Sequence, residues 1–566
     1  MFNFKKIRSL LALCLLIAML LSVLVSCDIS SIFGPKKTVI IRRPASTTTT
    51  KNDGTPGADP VVDPIDDNNR TLYQIYVRSF ADGNGDGIGD IRGIIDKFDY
   101  LNDGDINSGD DLGVQAIWLT PIFYGSSPHK YDAIDFYQID PEFGTEEDLK
   151  ELIDLCNERN VKLILDLALN HTAPSNDWFK QSRDAHKTGN TSNKYYNYYN
   201  WSQTQKKGYV NLSGTNWYYE SRFDVGGGMP DLNYDNQAVR NEMLEIGKYW
   251  MEFGIHGFRF DAVKYIYHYD NSDNSDNAKS AAFYEWYTGE LKKLYPDIYL
   301  IGECWDNEAV ILQYYKAMNC FNFTMAGGNS SLVGTVKGTG AMSAFTDAVS
   351  MLQQKIKNIN PNGMMSNFLS NHDQDRSHVF LGSDNLKKMA ASLYLLTPGT
   401  PVIYYGEEIG LRGSGDSPND ANRRLPMKWG DNIWTCKVPN GATVSVNLYE
   451  NTVYDQQGTE GSLLTHYTKV LNIRHKYPAI ARGTYKPIYS GNGNYTFGGF
   501  FVDYGNDDII ILHNTNATQS ATYDLKKLNN LTGYSSFTIL DYVGLNGATL
   551  NGTTLTLGPQ TTVILK

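Results

Sequence analysis

The stretch TEEDLKELIDLCNERNVKLILDLALNH, residues 145–171, is an amphipathic segment running directly into a short apolar run that ends on Asn170 and His171. The unit recurs. From residue 70 onward, apolar runs at TLYQIYVRSF, GVQAIWLTP, GIHGFRFDAV, IYLIGECW, FNFTM, MSNFLSNHD and TPVIYYGEE alternate with helical patterns. With VKLILDLALNH they make eight strands separated by helices, which predicts an α/β chain folded as a (β/α)8 barrel. Polar residues gather at the C-terminal ends of the runs: Asn170, His171, Asp261, Glu303, His372 and Asp373. In such a barrel the site lies at that end. A doubly wound sheet is the alternative, but it does not gather so many strand ends around one axis.

GFRFDAVKY, residues 257–265, places an arginine and an aspartate two apart. In a strand those two share a face, so Arg259 and Asp261 point one way and Phe258, Phe260 and Ala262 the other. An aspartate beside a permanent cation stays ionised at neutral pH, which suits a carboxylate nucleophile and equally a buried structural ion pair.

The N-terminus reads as a targeting segment. Lys5, Lys6 and Arg8 precede the apolar run LLALCLLIAMLLSVLV, and LVSC at residues 24–27 follows. This predicts a signal peptide over 1–26 and, by its resemblance to a bacterial lipobox, a lipid anchor on Cys27. The expected place is the cell envelope, exported and membrane-anchored. Residues 27–69, with PASTTTTKNDGTPGADPVVDPIDDNN, are rich in Thr, Pro, Asp and Gly and predict a flexible tether. The catalytic body is expected over 70–459, with an inserted subdomain over about 171–232 after the third strand. One last helix and an all-β sandwich domain fill 460–566. The net charge of −12 argues against nucleic acid as partner. The cysteines show no disulfide framework and no zinc spacing. Nothing in the sequence indicates an oligomeric state.

DLALNHT at 166–172, MPDLN at 229–233, GFRFDAVKY at 257–265, GECW at 302–305 and FLSNHDQDR at 368–376 together resemble the α-amylase family of retaining glycoside hydrolases. The branch resembled lies between oligo-1,6-glucosidases and neopullulanases. The resemblance implies Asp261 as nucleophile, Glu303 as acid/base and Asp373 as the carboxylate that braces substrate hydroxyls. It implies substrate contacts from Tyr131, His171, Arg259, Lys264, His372 and Arg376. It implies cleavage of α-1,4 bonds in starch or maltodextrin, with glucanotransferase or α-glucosidase/neopullulanase-type activity as alternatives. A non-catalytic glucan-binding protein fits less well, since all three carboxylates are present. Ala262, after the nucleophile, resembles the α-1,4 cutters. Where the family usually has Lys-His, this chain has Lys264-Tyr265.

DGNGDGIGD, residues 82–90, alternates oxygen-bearing side chains with glycines. Asp82, Asn84, Asp86, the Ile88 carbonyl and Asp90 are the candidate Ca2+ ligands, resembling an EF-hand-type loop although position 93 is Gly rather than Glu. Asn170 is the candidate ligand of a second Ca2+ site.

Overall fold

The computed structural model describes residues 67–566 except 106–107, 225, 431–432, 446, 491–494 and 545–546. The expected signal peptide, Cys27 and the tether up to residue 66 lie outside the described residues. Asp67 to Asn69, expected in the tether, are held instead. Asp67 accepts two hydrogen bonds of 2.8 Å from the Arg482 guanidinium, and the Asn68 carbonyl accepts from Thr400 Oγ1 at 3.1 Å.

Eight parallel strands form the barrel: β1 Leu72–Ile75, β2 Ala116–Leu119, β3 Lys162–Leu167, β4 Gly257–Phe260, β5 Tyr299–Gly302, β6 Asn319–Phe321, β7 Met365–Ser366 and β8 Val402–Tyr404. Strands pair in chain order from β1 to β7, and β8 pairs with β1. The β7/β8 seam is bridged by Thr400 N–H to Met365 O (2.7 Å) and Val402 N–H to Asn367 O (2.9 Å). Strand six was expected over FNFTM but ends at Phe321, because the chain then turns, with Phe323 N–H on the Phe321 carbonyl and Met325 N–H on the Asn322 carbonyl, both at 3.1 Å.

Period-two alternation builds the interior. Leu72, Ala116, Trp118, Ile164, Tyr299, Ile301, Phe321 and Val402 pack into one cluster. Their strand neighbours, such as Ile117, Leu165, Phe258 and Leu300, belong to the larger core that includes the helices. The inward files continue upward into polar residues: Gln74 above Leu72, Asp166 above Ile164, Glu303 above Ile301.

Helix α1, Glu146–Glu158, precedes β3. Its capping box joins Thr145 to Asp148, and Leu149, Leu152, Ile153 and Cys156 form its buried face. Helix α2, Gln237–Phe253, ends at Gly254 in the left-handed region (φ 117), which returns the chain sharply into β4. Between β3 and α2 a three-stranded antiparallel sheet, Trp201–Ser202, Tyr209–Asn211 and Tyr218–Glu220, forms the inserted unit. After the helix Leu463–Lys476 the chain enters antiparallel sheets of five and three strands that enclose their own apolar cluster.

Candidate active site

Asp261 and Glu303 meet at the C-terminal mouth of the barrel on one guanidinium. Arg259, wholly buried, is the penultimate residue of β4 and faces inward. Its Nη1 lies 2.7 Å from Asp166 Oδ1 and 2.7 Å from Asp261 Oδ1, and its Nη2 lies 2.9 Å from Glu303 Oε2. The Trp118 ring backs the guanidinium carbon at 4.9 Å. The expected pairing of Arg259 with Asp261 on one face therefore holds. Ala262 departs from the expected alternation. β4 stops at Phe260 and Ala262 turns into the left-handed region (φ 46, ψ 44), a costly conformation for a residue with a Cβ. The turn aims its N–H at Glu303 Oε2, 3.1 Å away.

Three carboxyls around one guanidinium would carry a surplus of negative charge in a buried site, so their protons are held more tightly. Burial pushes Asp166 and Asp261 up to about 6 against the pull of Arg259. Burial, opposed by Arg259 and reinforced by Asp261 and Asp373, pushes Glu303 up to about 7. Glu303 is thus the last of the three to release its proton. Trp305 lines the same pocket.

Asp373 sits across the mouth. Burial would raise its pKa, but Arg424 overrides it, with Nη2 at 2.6 Å from Asp373 Oδ1. His372 is not the cation responsible, because burial holds its imidazole down at about 3 and so neutral. A hydrogen-bond relay fixes that ring. Gln74 Nε2 donates to His372 Nδ1 (2.7 Å), His372 Nε2 to the Tyr131 hydroxyl (2.6 Å), and Tyr131 to Asp166 Oδ2 (2.9 Å).

Asp261, Glu303, Asp373, Tyr131 and Lys264 line a pocket of about 400 Å3, within the range of small-molecule sites. Lys264 is braced by Asp306 at 3.0 Å and by the Trp305 carbonyl at 2.8 Å. Trp305 stands 47 % exposed, stacked on Phe323 at 5.1 Å. Phe223, Met229 and Tyr265 complete an apolar wall.

Arg376 does not belong to this set. It is 1 % exposed, gives hydrogen bonds to the Arg423 and Tyr405 carbonyls, and lies over the Tyr404 and Tyr405 rings. Its cation serves packing below the mouth, and Arg424 holds Asp373 instead. Sequence reasoning also passed over Asp166, Gln74 and His129. Asp166 alone carried a signal, as the inward residue opening DLALNHT. His171 is fully buried under Phe223 and does not reach the pocket wall.

In the loop 82–90, Asp82 accepts from the Gly85 and Gly87 N–H groups (2.7 and 2.6 Å), Asn84 from Asp86, and Asp86 from Ile88. Asp90 Oδ1 accepts from Gly83 and Gly93, while its buried Oδ2 has no hydrogen-bond partner. Lys437 Nζ reaches the Asp86 carbonyl at 2.6 Å. The side chains of Asp82, Asn84, Asp86 and Asp90 thus accept hydrogen bonds from the loop's own main chain. Asn170 Nδ2 faces Asp231 Oδ1 at 3.1 Å, and Asp231 is raised by burial and by Glu220.

The family model for the alpha amylase catalytic domain matches residues 74–483. The chain belongs to the α-amylase family. It is 34% identical over 505 residues to Alpha-amylase 3 of Dictyoglomus thermophilum, covering 88% of this chain and 93% of that protein. It is 30% identical over 373 residues to a 4-alpha-glucanotransferase of Thermotoga neapolitana, covering 64% and 76%. The solved structure of Eubacterium rectale Amy13B superposes with a TM-score of 0.80 at 30% identity, covering 89% of this chain and 96% of that one. This α-amylase family member is a glycoside hydrolase by those relationships.

Proposed function

We propose that the protein cleaves α-1,4-glucosidic bonds of starch or maltodextrin with retention of configuration. The carrying observation is the shared guanidinium. Asp261 and Glu303 occupy neighbouring nitrogens of Arg259, a closeness that favours the retaining spacing of about 5–5.5 Å over the inverting spacing of about 6.5–9.5 Å. Asp261 attacks the anomeric carbon as Glu303 gives its proton to the departing glycosidic oxygen. Glu303 then takes a proton from water, whose oxygen displaces Asp261 and restores both groups. Asp373, kept ionised by Arg424, accepts hydrogen bonds from sugar hydroxyls. Digestion of maltoheptaose should release shorter maltodextrins. Asp261→Asn should lose at least about a thousandfold in kcat, on the scale seen when a catalytic group is removed, with an unchanged melting temperature. A variant turning over at a near-parental rate refutes the assignment.

Sugar transfer is the second reading, favoured by the exposed Trp305 and Phe223, which offer a sugar acceptor flat apolar faces. Calcium is assigned to the loop 82–90. Its oxygen donors suit a hard cation, and the orphaned Asp90 Oδ2 is the atom it would satisfy. Its contribution would be to rigidity. Chelation should lower the melting temperature, since a ligand bound only to the folded state stabilises it. An unchanged melt refutes the site. Asn170 with Asp231 is the second candidate. The N-terminal segment supports export and lipidation at Cys27, and Cys27→Ser should release the protein or block its processing. Normal processing and retention on the membrane would refute the anchor.

A further inference from the structure

A second cavity, of about 220 Å3, lies where the helices Asp384–Leu395 and Leu463–Lys476 meet the strand Ile539–Gly544 of the C-terminal domain. It shares no residue with the catalytic pocket. Lys388 forms part of its wall and is 8 % exposed. That ammonium has three protons to donate, and the Gly461 carbonyl accepts one. Among the described residues no carboxylate pairs with it, since the adjacent Asp384 is paired with Lys387 at 2.7 Å. Lys469 brings a second ammonium to the cavity and lies 5.5 Å over the Tyr542 ring. Glu460, the one carboxylate of the lining among the described residues, is exposed. The cavity therefore carries a positive surplus. His466 feels both cations: burial, with Lys388 and Lys469 adding to it, holds that imidazole down at about 3 and so neutral.

Gln560 faces the same cavity from the C-terminal domain. Its backbone is in the left-handed region (φ 45), where a residue with a Cβ is strained. Its N–H is satisfied by the Asn516 carbonyl at 3.0 Å, but its side-chain amide, 9 % exposed, has no hydrogen-bond partner among the described residues. A strained position that keeps a long amide, and leaves that amide unpaired in a polar cavity, marks a place where a ligand completes it. The first turn of the helix Leu463–Lys476 contributes little. The Leu464 and Thr465 N–H groups are already taken by Gln456 Oε1 and Ser462 Oγ at 3.2 and 3.0 Å.

We propose that this cavity binds a small hydroxylated phosphomonoester: the Lys388 and Lys469 ammoniums take the phosphate oxygens, and the Asn385 and Gln560 amides take the hydroxyls. Lysines hold phosphate as point charges, whereas the planar fork that matches a carboxylate is absent from the lining. The volume leaves room beyond the phosphate for a body of hexose size. Such a ligand touches barrel helices and C-terminal domain together, so it stabilises their docking. The site stands apart from the glucan-cleaving reading, and neither depends on the other.

Isothermal titration of the protein with glucose 6-phosphate, inorganic phosphate and glucose tests this, beside Lys469→Ala and Gln560→Gly. Both substitutions suit the fold, because Lys469 is exposed and glycine relieves the left-handed backbone at 560. The parent should bind one glucose 6-phosphate, with inorganic phosphate and glucose each at least about tenfold weaker, on the scale of one charge-assisted hydrogen bond. Each variant should bind glucose 6-phosphate at least about fivefold more weakly than the parent. The ligand should raise the melting temperature of the parent more than that of either variant. Absence of saturable binding overturns the proposal, as does an affinity unchanged in either variant. Glucose or inorganic phosphate bound as tightly as glucose 6-phosphate overturns it too.

Discussion

At the scale of residues, the distribution of protons over Asp166, Asp261 and Glu303 governs the chemistry. In the proposed reaction the working form has Asp261 ionised and Glu303 protonated. Activity should therefore rise as pH increases through about 6 and fall as it passes about 7, giving a bell in kcat/KM. Asp166 raises the Asp261 pKa by its own charge. Asp166→Asn should shift the acid limb to lower pH, and an unmoved limb would mean Asp166 exerts no such field. The proximity of Arg259 to Asp261 was legible, because strand alternation puts residues two apart on one face. Arg424 was not. It meets Asp373 across 51 positions of chain, a contact that no local pattern encodes. Arg376 lies within a recognised motif, yet its side chain is consumed by the Tyr404 and Tyr405 rings and by main-chain carbonyls.

At the scale of elements, β4 depends on a close approach at its first residue. A Cβ on Gly257 would stand 1.9 Å from the Tyr299 carbonyl oxygen, inside the backbone of β5. Gly257→Ala should separate β4 from β5 and cost at least about 1–3 kcal/mol, the scale of overpacking a filled interior. Urea unfolding measures this, and a variant as stable as the parent would show that the strands part freely. The strands were legible in the sequence because each is a short apolar run between amphipathic segments. Their ends were less so. Ala262 looks like one more alternating residue of β4, and only the approach of Glu303 explains why the chain turns left-handed there. The loop 82–90 reads as a cation loop in spacing, but spacing carries no information about which oxygens the main chain takes.

At the scale of the whole molecule, a buried carboxyl in the turn Glu407–Ile409 after strand β8 ties that turn to two helices. Glu407 Oε1 accepts from Tyr394 at 2.7 Å and Tyr467 at 2.8 Å, while Oε2 has no hydrogen-bond partner. Burial pushes Glu407 up to about 8, aided by Glu408 and opposed by the two tyrosines and Arg376. The folded chain then holds a proton that the unfolded chain releases near 4.5, so this contribution to stability is complete below about 4.5 and is lost as pH rises to about 8. Glu407→Gln should flatten that decline in melting temperature, and an identical pH dependence in both proteins would contradict it. The barrel, by contrast, brings Asp261 and Glu303 together on Arg259, and in the proposed reaction the stereochemistry of the product reports on that arrangement directly. Proton NMR of maltoheptaose digestion, recorded before the sugars mutarotate, identifies the anomer released at each new reducing end. The account predicts the α-anomer first, relaxing later toward the equilibrium mixture. Initial release of the β-anomer would contradict a covalent intermediate on Asp261.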